Sequence, residues 1–194
     1  AMSQTVINDP NAVLRDEKAY HGISVSNAID VYLSAGSQET VAVSAADIKW
    51  RDRIRKEVKD GILRITLDHE KWFGWADKSR KMRVYVSFIQ LDKVSGAGAT
   101  NIYVDGVIES GSLDIALAGA SDFKGTIKVG SLKLDLSGAA DACIVGTVEG
   151  VTTVHSAGAS DLKGYDLVTD TCNAHASGAS DIRITGNKEL NVHA

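Results

Sequence analysis

"SAGASDLKG", Ser156 to Gly164, decides the fold, because its core recurs. Taken alone it resembles a phosphate-cradling loop with an acid close behind. Five copies of a small-Gly-Ala-small-Asx pattern stand in the chain: Ala97 to Asn101, Ala118 to Asp122, Ser137 to Asp141, Ala157 to Asp161 and Ser177 to Asp181. Their central glycines, Gly98, Gly119, Gly138, Gly158 and Gly178, are separated by 21, 19, 20 and 20 residues. A fixed period of about 20 residues is the mark of a repeat architecture.

Between the corners the residues alternate. Leu113, Ile115 and Leu117 in one copy are matched by Leu132, Leu134 and Leu136 in the next, then by Thr152, Val154 and Ser156, then by Cys172, Ala174 and Ala176. Period two is a strand with one buried face. Counting from each glycine gives two further ladders: Ile102, Phe123, Ala142, Leu162 and Ile182 four residues on, and Ile108, Val129, Val148 and Val168 ten residues on. A 20-residue unit cannot bury its own apolar face, but coils stacked at roughly 4.8 Å share one core. The predicted fold is all-β, a β-solenoid of about five coils over residues 93–194, preceded by β-strands in residues 1–92 that cap or continue it. The corner glycine supplies a dihedral that other residues avoid, and small neighbours let corners stack.

In the first segment, Tyr20 to Leu33 reads as two strands broken near Asn27, Thr40 to Ala45 as a third, Arg53 to Asp68 as a hairpin turning at Asp60-Gly61, and Arg83 to Phe88 as a strand leading into the first coil. "EKWFGWADKSRK", Glu70 to Lys81, is a polar loop with two of the three tryptophans.

Bulk properties narrow the function. The net charge of −4 carries no long run of one sign, so nucleic-acid binding is not expected. No apolar run is long enough for a transmembrane helix, and Ala1-Met2-Ser3-Gln4 does not begin a charged, apolar, small-residue leader. Cys143 and Cys172 lack metal-ligand spacing and sit on opposite phases of the repeat, outward and inward, so neither a disulfide nor a metal site is expected of them. No glycine-rich fingerprint opens a helix, and no serine stands apart from its repeats as a nucleophile. No cofactor is expected.

Asp122, Asp141, Asp161 and Asp181, with Asn101, occupy one phase and should form a column. Such a column could hold a hard cation, or supply the carboxylate pair of a polysaccharide-active enzyme, whose members stand roughly 5 Å apart. The reading preferred here is structural, each Asx capping its own corner, because catalysis needs one distinct pair and these recur at every corner. Asp135, His155 and His175 share another outward phase and are weak candidates for a transition metal; a third firm ligand is missing. Trp72, Phe73 and Trp75 break the repetition. They are candidate ligand contacts for a glycan or protein, or they fold over the open end of the solenoid and protect its edge. The last repeat, "DIRITGNKELNVHA", has no evident cap, so self-association through its edge is a further expectation.

"HGISVSNAIDVYLSAG" (His21 to Gly36), "KEVKDGILRIT" (Lys56 to Thr66), "VYVSFIQLDKVSGAGATNI" (Val84 to Ile102) and the later Gly-Ala-Ser-Asp corners together resemble the head-GIN domain family of autotransporter adhesins. The resemblance covers nearly all of residues 15–186. It implies a β-helix-like domain exported to the periplasm, outer membrane or cell surface, acting in adhesion, with no catalytic residues assigned; a glycan or envelope protein is the partner expected here. The loop from Glu70 to Lys81 is not part of that resemblance.

Overall fold

The computed structural model describes residues 8–68 and 82–194. In chain order it consists of β1 (Val13–Arg15), β2 (Gly22–Val25), β3 (Ile29–Ala35), β4 (Thr40–Ser44), the single-turn helix α1 (Ile48–Arg51), β5 (Ile54–Lys59), β6 (Ile62–Leu67), β7 (Met82–Phe88) and β8 (Lys93–Gly96). Five long strands complete it: β9 (Asn101–Leu117), β10 (Asp122–Leu136), β11 (Asp141–Ser156), β12 (Asp161–Ala176) and β13 (Asp181–His193). The long strands pair in parallel in sequence order, which makes a solenoid of about five turns after the N-terminal strands.

The stacking continues into the first segment. β2 pairs in parallel with β6 and β8, and β3 with β7 and β9. One ladder therefore runs Leu63, Ile23, Val94, Ile115, Leu134, Val154, Ala174 and Val192. Its first seven members are buried. Each large aliphatic in it contributes about 1.5–3 kcal/mol, so the column outweighs any one turn. Among the described residues antiparallel pairs occur only around the first segment: β1 with β4, β4 with β7, and the β5–β6 hairpin, whose Asp60 and Gly61 both have positive φ, 53° and 73°. Two residues with positive φ are what a tight two-residue hairpin turn requires. The helix α1, absent from the sequence reading, starts at Asp47, whose side chain accepts from the Lys49 N–H, and it buries Trp50.

The ladder from Ile102 to Ile182 stacks in register as the spacing predicts. The one drawn through Ile108, Val129, Val148 and Val168 holds only at its Val129–Val148 step. Ile108 pairs with Ile127, Val129 with Val148, Val148 with Thr169, and Val168 with Thr147. Counting from a glycine assumes coils of equal length, whereas register shifts lie at the bends between Lys124 and Thr126, Val129 and Leu132, and Cys143 and Gly146. Gly146 shows why one bend has no side chain: a Cβ there would lie 1.9 Å from the Ile127 carbonyl oxygen.

Gly98, Gly119, Gly138, Gly158 and Gly178 have φ between 70° and 77°. Each corner hydrogen-bonds the one before it, as in Ala139 N–H to Gly119 O at 2.8 Å and Ala159 N–H to Gly138 O at 2.8 Å. A sixth corner stands at Asn27, with φ 70°, whose carbonyl accepts from Ala99. Asparagine is among the few residues other than glycine that tolerate this conformation.

Candidate functional site

The corner aspartates do not cap their own corners. At two corners the hydroxyl one residue earlier does so, Thr100 and Ser121, which like Ser160 point inward and are fully buried; Asp141 follows Ala140, which has no hydroxyl. Thr100 Oγ1 lies 2.9 Å from both Ala97 O and Asn27 O and shares its one proton between them; Ser121 Oγ donates to Ala118 O at 2.8 Å; Ser160 Oγ accepts from Ala140 N–H of the preceding coil at 3.2 Å. The following residue already belongs to a strand and projects outward. Asp161 alone of the column accepts a backbone bond, from Asp181 N–H of the next coil at 3.2 Å.

Freed from that task, the acidic column is a surface feature. Asp30, Asn101, Asp122, Asp141, Asp161 and Asp181 are in register, and Asn101 Nδ2 donates to Asp30 Oδ1 at 3.0 Å. The acidic positions recur at every coil and none of these residues is buried, so no one pair is set apart as acid and nucleophile.

Two residues further along each strand, on the same outward face, runs a second column: Tyr85, Tyr32, Tyr103, Lys124, Cys143, Lys163 and Arg183. Its three tyrosine rings stack, Tyr85 on Tyr32 and Tyr32 on Tyr103, with centroids 5.3 Å apart in both pairs. The Tyr85 hydroxyl donates to Asp9 Oδ2 at 2.7 Å. Burial, then that bond and the carboxylate charge, push its pKa up to about 12. Tyr103 is also shifted upward, by burial first and then by the nearby charge of Asp30.

The third column is Asp135, His155, His175 and His193. The imidazoles of His155 and His175 stack at 5.1 Å and 10°, those of His175 and His193 at 4.8 Å and 11°. Rings lying face to face do not converge their nitrogens on one point, and among the described residues no group of three His, Cys, Asp or Glu side chains is placed to hold a metal ion. His193 was missed because no corner glycine follows it. The signal that finds it is local: Leu190-Asn191-Val192-His193-Ala194 repeats the alternation of Cys172-Asn173-Ala174-His175-Ala176. Beside this column a groove of about 610 Å³, floored by small corner residues such as Ala118 and Ala157, runs from Ser95 to His193.

Both cysteines are free, Cys143 half-buried and Cys172 buried. Burial pushes the Cys172 thiol upward in pKa. Trp72, Phe73 and Trp75 lie outside the described residues, as does the rest of the loop from Glu70 to Lys81. No described helix is long and apolar enough to cross a membrane.

Three solved structures share this fold at low sequence identity. A putative adhesin from Bacteroides fragilis NCTC 9343 superposes with a TM-score of 0.84 at 18% identity, covering 95% of this chain and 84% of that one. A "putative lipid binding protein" from Parabacteroides distasonis ATCC 8503 gives 0.61 at 15% identity, covering 94% and 97%. A putative adhesin from the same organism gives 0.59 at 16%, covering 93% and 95%. Among curated proteins none matches the chain. The sequence model of one family matches residues 19–194, and the chain belongs to that family, described as "Putative auto-transporter adhesin, head GIN domain".

Proposed function

We propose that the chain is an exported adhesion module that presents the side of its solenoid to a glycan or protein of the cell envelope. The observation that carries this reading is the set of in-register outward columns. A solenoid repeats one side chain at every rung, so a binding face assembled from such columns grows with coil number and suits an extended ligand. Family membership supports adhesion as the role and export as its setting. Trp72, Phe73 and Trp75 belong to the same reading as additional contacts, since aromatic side chains dominate binding hot spots. The recurrence of the corner aspartates at every coil, none of them buried, favours binding over polysaccharide cleavage.

A glycan array, run with a panel of purified envelope proteins, tests the reading. Wild-type chain is expected to give saturable signals that fall when the groove is altered by His155→Ala with His175→Ala, or the loop by Trp72→Ala with Trp75→Ala. Polysaccharide incubated with the chain is expected to release no reducing ends. Release of reducing ends, or signals indifferent to both pairs of substitutions, would contradict the proposal.

A further inference from the structure

The tyrosine column ends abruptly. Tyr103 is its last ring, 37% exposed, and the next positions on the column are Lys124, Cys143 and Lys163. A cleft of about 230 Å³ opens there, lined by Tyr103, Asp122, Phe123, Lys124, Asp141 and Lys163, among others. Every lining residue except Tyr103 belongs to a later coil, so the cleft faces the side of the ring turned away from Tyr32. We propose that this cleft binds the pyranose ring of a neutral saccharide, seated on Tyr103 as the next ring of the stack.

Three features point to that ligand class. The first is the platform. Tyr32 and Tyr85 hold Tyr103 from behind at one-rung spacing, and a fixed aromatic face accepts the apolar C–H face of a sugar at little entropic cost. The second is the pairing of wall chemistry. Among the described residues the carboxylates of Asp122 and Asp141 and the ammonium groups of Lys124 and Lys163 have no hydrogen-bond or ion-pair partner. Carboxylates only accept and ammonium groups only donate, so together they serve ligand hydroxyls, which do both. The third is charge balance. Two carboxylates and two ammonium groups leave the cleft neutral overall; an anionic ligand would meet the former and a divalent cation the latter. The volume, below the roughly 300 Å³ at which sites for larger ligands begin, fits one ring.

This inference rests on the adhesion reading but fails separately from it. Methyl β-galactopyranoside and methyl β-glucopyranoside are titrated into the full chain while backbone amide resonances are followed by NMR. Saturable shifts at Tyr103, Lys124 and Cys143 are expected, with a Kd of about 1–10 mM, typical of one weakly held ring. Tyr103→Ala is expected to weaken binding about tenfold or more, Tyr103→Phe by less than about threefold, and Asp141→Asn by about fivefold. Glu149→Gln, exposed and outside both the cleft and the groove, should change nothing. The amide spectrum reports folding of each variant, and the Phe variant keeps the stack if Ala disturbs it. Absence of saturable shifts up to about 50 mM, unchanged affinity in Tyr103→Ala, or tighter binding of adenosine or methyl glucuronide would overturn the proposal. If neither glycoside binds but chain-coated beads still attach to cells, the cleft fails and adhesion stands. Glycoside binding by a chain whose beads do not attach gives the reverse.

Discussion

The rings of Tyr32 and Tyr103 stack at 5.3 Å and 27° although they lie in β3 and β9, far apart in the chain. The parallel pairing of those strands brings them together, and the same pairing carries the core from the N-terminal segment into the repeats. Stability should therefore depend on positions in both halves. Leu134→Ala, in the centre of the long ladder between Ile115 and Val154, is expected to cost about 2–5 kcal/mol in urea unfolding, and Ile23→Ala a comparable amount in the same single transition. Two separate transitions would show that the segments do not share a core.

The corners make a sharper contrast. At Gly158 φ is 73°, and a Cβ would lie 2.4 Å from the Gly138 carbonyl oxygen. Gly158→Ala should destabilise the chain by about 1–3 kcal/mol through backbone strain and that contact. Asn27 occupies the same conformation with a side chain already present. Asn27→Gly should therefore shift stability by no more than about 0.5 kcal/mol in either direction, and equal losses at the two sites would argue against a shared corner geometry.

Much of this was legible in the sequence, and the exceptions have physical causes. The glycines announce their corners because few other residues accept φ near 70°. Asn27 hid a sixth corner because it accepts that φ without being glycine. The buried hydroxyls of Thr100 and Ser121 were overlooked because aspartate, their neighbour, is the more familiar cap. The tyrosine column could not be read at all: Tyr32, Tyr85 and Tyr103 come from three segments, and only strand pairing aligns them.

Thiol chemistry should separate the two faces of a coil. Cys143 is half-buried on the outside, whereas Cys172 is buried with its thiol shifted upward. Near neutral pH, iodoacetamide is expected to label Cys143 in the native chain and both residues in urea, because the thiolate is the reactive form and needs access. Equal native labelling rates would place Cys172 outside the core.

The phenol of Tyr85 supplies a pH test. Its folded pKa, pushed up to about 12, exceeds the ordinary value of 10.0, so the folded chain retains a proton that the unfolded chain loses. The stabilisation linked to this group is complete below about pH 10 and is lost as pH rises towards 12. Tyr85→Phe should flatten that part of the stability profile. Asp9→Asn, which removes the carboxylate beside the hydroxyl, should bring the phenol's titration closer to its ordinary value.

The most direct test of adhesion is attachment itself. Beads coated with the chain are applied to cells bearing envelope glycans, with soluble chain as competitor and heat-unfolded chain as control coating. Attachment by the folded coating, abolished by soluble competitor and absent from the unfolded control, is the predicted result; equal attachment by all three preparations would contradict it.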